Sequence, residues 1–252
     1  MSARATFVLL VAFAAFSGTA LWIDRSTTPT GQLLVSVVAW LFLGAALLTQ
    51  SVPIRRQVLA LVAIATILEC IGSLVWGAYI YRLANLPLYV PAGHGLFYLT
   101  ALRAAALPVL MRNARAIVMA VTLGATGWMA YGLIARPLPD LLGFVTWAVF
   151  LRFILRGRYP LLYAVSFAMT TALELYGTSL GIWRWSPVLP ALMLPAGNPP
   201  TGIGAGYAAM DALTRRIVGR AERAWASRSR ARRADGAALP IASARGSEAP
   251  AD

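Results

Sequence analysis

Two glutamates stand where this chain is otherwise apolar, and each opens the same short pattern. Glu69-Cys70-Ile71-Gly72 is matched by Glu174-Leu175-Tyr176-Gly177. Each continues to a glycine and then aromatic-x-aromatic: Gly77-Ala78-Tyr79-Ile80-Tyr81 against Gly181-Ile182-Trp183-Arg184-Trp185. Ten residues after the last aromatic come Pro91-Ala92-Gly93-His94 and Pro195-Ala196-Gly197-Asn198. The offset is 105 at the glutamate and 104 afterwards, so one residue is gained or lost between. A carboxylate inside an apolar span is costly and usually faces the bundle interior. Away from water the neutral acid is the favoured form. The pattern therefore predicts one shared cavity in which Glu69 and Glu174 serve as acid or base. Tyr79, Tyr81, Trp183 and Trp185 would be its walls, their ring faces able to stabilise a cation. The plainer reading makes these four the interfacial aromatic belt at the outer ends of their spans.

Other polar residues extend the candidate set. His94, the single histidine, falls at the outer start of a span, either as a proton donor or acceptor at the cavity mouth or as a satisfied interfacial residue. Arg103 lies roughly 16 Å along its span and Glu69 roughly 18 Å along the preceding one, from opposite ends, at 1.5 Å rise per residue. Those depths match, so the structural alternative to a catalytic role pairs Glu69 with Arg103 and bonds Glu174 to neighbouring tyrosines or tryptophans. The repeat position of Arg103 is Tyr207, so the two copies are chemically unequal. Asn85 and Asn198 complete the expected substrate-binding residues. Asp211 is one turn from Arg215 and is expected to pair with it. Cys70 is the only cysteine, is expected to be buried, and can form no internal disulfide. No metal-type cysteine or histidine spacing exists, and Gly202, Gly204 and Gly206 do not make a dinucleotide fingerprint. Neither metal nor cofactor is expected. Gly177 and Gly181 form a small-xxx-small pair suited to close helix packing.

The elements that must position these residues follow from composition. Of 252 residues 59% are hydrophobic and 12% charged, and mean hydropathy is +0.69. Soluble domains are nearer a quarter charged, so a multi-span membrane protein is expected. Apolar runs place about eight spans near 5–23, 32–50, 57–81, 92–111, 115–135, 138–155, 160–183 and 199–217. The stretch from Pro187 to Pro200 reads as a loop or a re-entrant segment. The first run reads as a retained span rather than a signal peptide, since no clean Ala-x-Ala precedes Asp24. Weaker matches, Ala3-Arg4-Ala5 with Ala114-Arg115-Ala116 and Trp40 with Trp147, extend the repeat. The fold class expected is all-α, with two parallel four-helix repeats, 1–112 and 113–217.

All the basic residues are arginine, and the net charge is +13. Arg4, Arg55, Arg56, Arg112, Arg115, Arg156 and Arg158 fall on one side, with the arginine-rich segment from Arg215. The positive-inside rule then puts both termini in the cytoplasm of a bacterial-type inner membrane. Residues 218–252 are expected to be a disordered cytoplasmic tail attracted to anionic lipid. Nucleic acid is not an expected partner, because the tail has a single aromatic residue and no recognisable motif. Membrane lipids are the expected partners; the oligomeric state is open.

At Glu-x-x-Gly followed by Gly-x-aromatic-x-aromatic, the sequence resembles the membrane carotenoid-biosynthesis family that includes bacterioruberin-type hydratases. More distantly it is similar to the small-subunit lycopene cyclases. The resemblance covers Glu69–Tyr81 and Glu174–Trp185, and the two Pro-Ala-Gly segments lie outside it. It also extends to uncharacterised bacterial multi-pass membrane proteins with a Pro-x-Gly-His-Gly segment. It implies an all-helical enzyme acting on a long polyene within the bilayer, without a redox cofactor. Such chemistry begins when an acid protonates a C=C bond, and water or another double bond meets the cation. Two alternatives stand beside it: a transporter or flippase using the repeat interface, and a non-enzymatic partner in a membrane assembly.

Overall fold

The computed structural model of the chain describes residues 2–237, with side chains as far as 227. It divides into two units, Met1–Arg215 and Arg216–Asp252. The described part of the second is helix alone.

Capping chemistry starts the first helices. Ser2 accepts the Ala5 N–H at 3.2 Å and opens α1 (Ala3–Asp24). Thr28 accepts the Gly31 N–H at 3.3 Å, ahead of a proline in the first turn, and opens α2 (Pro29–Leu48). Such side-chain oxygens satisfy N–H groups that a first turn leaves unpaired. Helix α3 (Val52–Glu69) runs directly into a π-helical segment, Cys70–Val75. Strand β1 (Tyr79–Tyr81), α4 (Tyr89–Ala105), α5 (Pro108–Arg112) and α6 (Ala114–Ile134) follow. Then come α7 (Leu141–Arg156), α8 (Pro160–Ser179), β2 (Trp183–Trp185), β3 (Val188–Leu189), β4 (Leu194–Pro195) and α9 (Ala205–Ala237). Of the segment expected to be disordered, residues up to Ala237 continue α9, and 238–252 lie outside the described residues.

The protein is mostly helical, at 74% helix and 4% strand. All eight apolar runs contain a helix. Among the described residues, four helical stretches are long and apolar enough to cross a bilayer: Ala3–Asp24, Pro29–Leu48, Val52–Val75 and Ala114–Ile134. Helices α4 and α7, of 17 and 16 residues, fall short of the ~20 residues that a 30 Å hydrocarbon core needs. The long helices turn apolar faces outward: Phe7, Leu34, Leu41 and Leu123 are each about two-thirds exposed. Apolar surface on that scale is unusual in a water-soluble monomer and is compatible with a membrane protein.

Helix α4 is the centre of the larger core. It packs against α1, α2, α3 and α8, and Leu96, Phe97, Tyr98, Leu99 and Thr100 are fully buried. Close approach depends on Gly95, where a Cβ would lie 2.8 Å from Val62 and 2.9 Å from Leu43 side-chain atoms. A second core joins α6, α7, α8 and the first turns of α9 through Ala125, Phe150, Tyr163, Phe167 and Ala208.

Two features depart from the sequence expectation. The spans expected over 57–81 and 160–183 end early, at Val75 and Ser179, and the chain then turns back. Gly77 (φ +58°) and Gly181 (φ +71°) make those turns in the left-handed region that disfavours a Cβ. The returning segments are strands rather than helix, and they pair antiparallel as Tyr79↔Trp185, Ile80↔Arg184 and Tyr81↔Trp183. Likewise Pro187–Pro200 holds the small β3–β4 pair, and α9 starts only at Ala205, after an irregular stretch containing Pro199 and Pro200.

Candidate functional site

The repeated pattern has a physical explanation at each position. On a straight helix a residue ten further on would be ~15 Å away. Here the turn at Gly77 folds the chain back, so Tyr79 and Tyr81 both donate to Glu69 Oε2, at 2.7 and 2.9 Å. In the second copy the Trp183 and Trp185 indole N–H groups donate to Glu174 Oε2 at 2.8 and 3.0 Å. Alternate residues of a strand point to the same face, which is why the spacing is aromatic-x-aromatic. The glycine three after each glutamate is the seat for the returning ring. A Cβ on Gly72 would sit 3.2 Å from the Tyr79 hydroxyl, and one on Gly177 only 2.0 Å from the Trp183 ring. The turns close alike, with Ala78 N–H donating to Gly72 O at 2.8 Å and Ile182 N–H to Gly177 O at 3.0 Å. The one-residue change in offset falls where the first copy is π-helical, a conformation that accommodates an extra residue in a helix.

These four rings were expected either as an outer belt or as cavity walls. They gather around the two carboxyls as a ring cluster and as hydrogen-bond donors, and for Glu174 the donors are the neighbouring tryptophans of the structural alternative. Tyr79 lies 4.7 Å from Trp185 by ring centroid, and Tyr81 lies 6.2 Å from Trp183.

His94 joins the same site. Its Nε2 is 2.9 Å from Glu69 Oε1, and its Nδ1 is 2.7 Å from the Tyr207 hydroxyl. Tyr207 stacks on Phe97 with centroids 3.9 Å apart. With a neutral imidazole, this is a chain in which Tyr207 O–H donates to Nδ1 and Nε2–H donates to Glu69. Glu69 is thus held by three donors on both oxygens. Among the described residues Glu174 is held through Oε2, and its Oε1 has no hydrogen-bond partner there. The two sets meet through the Tyr79–Trp185 and Tyr81–Trp183 ring contacts.

Arg103 is not the partner of Glu69. Its Nε donates to Gln50 Oε1 at 2.9 Å, and Nη2 donates to the same oxygen. Matching depth does not fix rotation about the helix axis. His94 lies nine residues earlier on α4, on the turn that meets the glutamate. Asn85 is also elsewhere, with its amide donating to Gln32 Oε1 at 2.7 Å. Asn198 borders the site, its Oδ1 accepting the Trp185 backbone N–H at 3.0 Å. Asp211 takes the expected partner, with Arg215 Nε at 2.8 Å, and also accepts from Tyr98.

Comparison with family models, curated proteins and solved structures finds no match to the chain. What the site can do is therefore read from its geometry.

Sequence reasoning missed three contributors. Tyr207 figured only as the counterpart of Arg103. Asp24 figured only as the end of a span, yet it is fully buried and accepts from Gln32 at 3.1 Å, Tyr89 at 2.7 Å and Arg82 at 3.3 Å. Asp140, also fully buried, accepts backbone N–H groups of Gly143, Gly197 and Thr201 at 2.8, 2.9 and 2.7 Å. Asp24 thereby ties α2 and the segment from β1 to α4 to the end of α1, and Asp140 ties the stretch between β4 and α9 to the start of α7. An acidic residue at the edge of an apolar run was the signal available: Asp24 directly follows 5–23, and Asp140 stands near the start of 138–155. Among the described residues no three His, Cys, Asp or Glu side chains gather as a metal site, and Cys70 is a free, half-buried thiol in the π-helical segment.

Proposed function

We propose that the chain is a multi-pass inner-membrane enzyme that performs acid–base chemistry on an unsaturated polyprenoid-type lipid. The observation that carries this reading is the unequal pair of carboxyls. Glu69 accepts from three donors on both oxygens, while among the described residues Glu174 accepts on Oε2 alone, and the four aromatic rings cluster around the pair. Protonated on Oε1, Glu174 gives its proton to a terminal C=C bond and leaves a tertiary cation. The faces of Tyr79, Tyr81, Trp183 and Trp185 stabilise that cation. Water adds to it, and the proton the water sheds passes to the Tyr207–His94–Glu69 chain and returns to Glu174. The net reaction is hydration; capture by a second double bond would make it cyclisation. His94, Tyr207 and Glu69 form the second proton-handling unit, and Arg103 and Asn85 lie outside the chemistry.

The architecture in this reading is eight spans in two parallel halves, with both termini cytoplasmic. The register of the β1–β2 pair supports it. Tyr79, Ile80 and Tyr81 correspond to Trp183, Arg184 and Trp185, and exchanging the two strands maps every pair onto another pair. The pairing therefore has a two-fold axis through Ile80↔Arg184. The resemblance to carotenoid-biosynthesis enzymes agrees with the substrate class. Glu69 paired with Arg103 would have favoured the assembly-partner alternative, and that is not the pairing found.

Expression in a host that accumulates lycopene tests the reading. The wild type is expected to yield a pigment changed by one water or by ring closure. Glu174→Gln should abolish the product, while Arg103→Gln should leave it. Unaltered pigment with well-inserted wild-type protein would sink the polyprenoid reading.

A further inference from the structure

A groove of about 670 Å³ runs along α6 between the end of α7 and the start of α8, and it shares no residue with the glutamate site. That volume is in the range of small-molecule sites, ~300–1,000 Å³. Its walls are apolar, with Val118 and Leu123 on one side and Ile154 on another. Its lining also includes two cations, Arg115 and Arg158, beside Tyr159. Among the described residues neither arginine has a carboxylate partner, since the ion pairs there are Arg82–Asp24, His94–Glu69 and Arg215–Asp211. Arg158 leans on the Tyr159 ring at 5.6 Å, and Arg215 covers the same ring at 4.2 Å. Both Arg115 and Arg158 fall within three residues of a helix start, of α6 and α8 respectively, so the partial positive ends of two helices add to the guanidiniums.

An apolar wall that ends in two unpaired cations complements one kind of molecule: an acyl chain that carries an anionic head. A zwitterionic lipid brings no net charge to the arginines, and free phosphate brings nothing for the wall. We propose that this groove binds an anionic phospholipid, with an acyl chain along α6 and the phosphate held between Arg115 and Arg158. Basic pockets between helices on the cytoplasmic side of a membrane recognise such headgroups. The site is independent of any chemistry at Glu174.

The test is native mass spectrometry of the full chain released from detergent, after exchange into mixtures of phosphatidylglycerol and phosphatidylcholine. The wild type should retain phosphatidylglycerol at least fivefold over phosphatidylcholine. The double variant Arg115→Gln/Arg158→Gln should lose that preference, and Arg4→Gln/Arg56→Gln should keep it. Val118→Trp, which fills the groove without touching charge, should lower retention of both lipids, so the proposal is tested even where the double variant folds poorly. In a parallel thermal-unfolding series, phosphatidylglycerol should stabilise the wild type and inorganic phosphate should not. Equal retention of the two lipids, a preference unaffected by the Arg115/Arg158 change, or stabilisation by phosphate alone would each overturn it.

Discussion

Adding a single methyl group at Gly177 should separate the two copies of the glutamate pattern. A Cβ there lies 2.0 Å from the Trp183 ring, with two more ring atoms at 2.4 Å, so the indole must move. Overpacking of this kind costs about 1–3 kcal/mol. A displaced ring also gives up the 2.8 Å bond to Glu174, and a hydrogen bond between neutral groups contributes about 0.5–1.5 kcal/mol. Alanine for glycine inside a helix returns about 1 kcal/mol. The balance is a net loss of about 0.5–3.5 kcal/mol, which for a chain of this size lowers the unfolding midpoint by up to about 10 °C. At Gly72 the nearest atom is the Tyr79 hydroxyl at 3.2 Å, the movable end of a side chain, so Gly72→Ala should shift the midpoint by only about 2–4 °C. Thermal unfolding in detergent, followed by tryptophan fluorescence and circular dichroism, measures both. Trp183→Leu in the Gly177→Ala background should cost little more than either change alone, because the two act on one contact. Equal midpoints for Gly72→Ala and Gly177→Ala, or additive costs in the double variant, would refute the seat assigned to Gly177.

Two further outcomes follow from the hydrogen bonds. Asp140→Ala leaves three backbone N–H groups without their acceptor, and at about 1–3 kcal/mol per unsatisfied buried donor it should be among the most destabilising single changes. Limited proteolysis should then cut near 197–201, and an uncut variant would show that another acceptor replaces the carboxylate. Tyr207→Phe removes one neutral bond to His94, so about 1 kcal/mol of stability is lost while the fold is kept. The midpoint should fall by a few degrees, and a change as large as that of Asp140→Ala would mean Tyr207 is chiefly structural.

The glutamates, the glycines and the paired aromatics were legible in the sequence because their spacing repeats. Their arrangement was less so. Rings at the end of an apolar run read as a membrane belt, and a three-residue strand is too short to declare itself by alternation. The extra residue in the first copy appeared as a slipped offset, and only the π-helical segment explains it. Depth along a helix suggested Arg103 for Glu69, but azimuth decides contact, and His94 holds the favourable one. Asp24 and Asp140 escaped notice because the partners that matter lie far away in sequence, Arg82 and Tyr89 for the one and Gly197 and Thr201 for the other, and Asp140 binds backbone groups that carry no side-chain signature. Helices α4 and α7 read as spans from composition, yet they are shorter than the long apolar helices, and α4 is enclosed by its neighbours.

The strand pairing has one more consequence. Because exchange of β1 and β2 returns the same register, a half-length chain bearing this strand once would meet its own copy in that register. Two identical halves would then already contain the ribbon and both carboxyl clamps. In this chain the two copies of the pattern differ in what surrounds the carboxyl: Tyr79, Tyr81 and His94 donate to Glu69, whereas Trp183 and Trp185 donate to Glu174 and Asn198 accepts from Trp185.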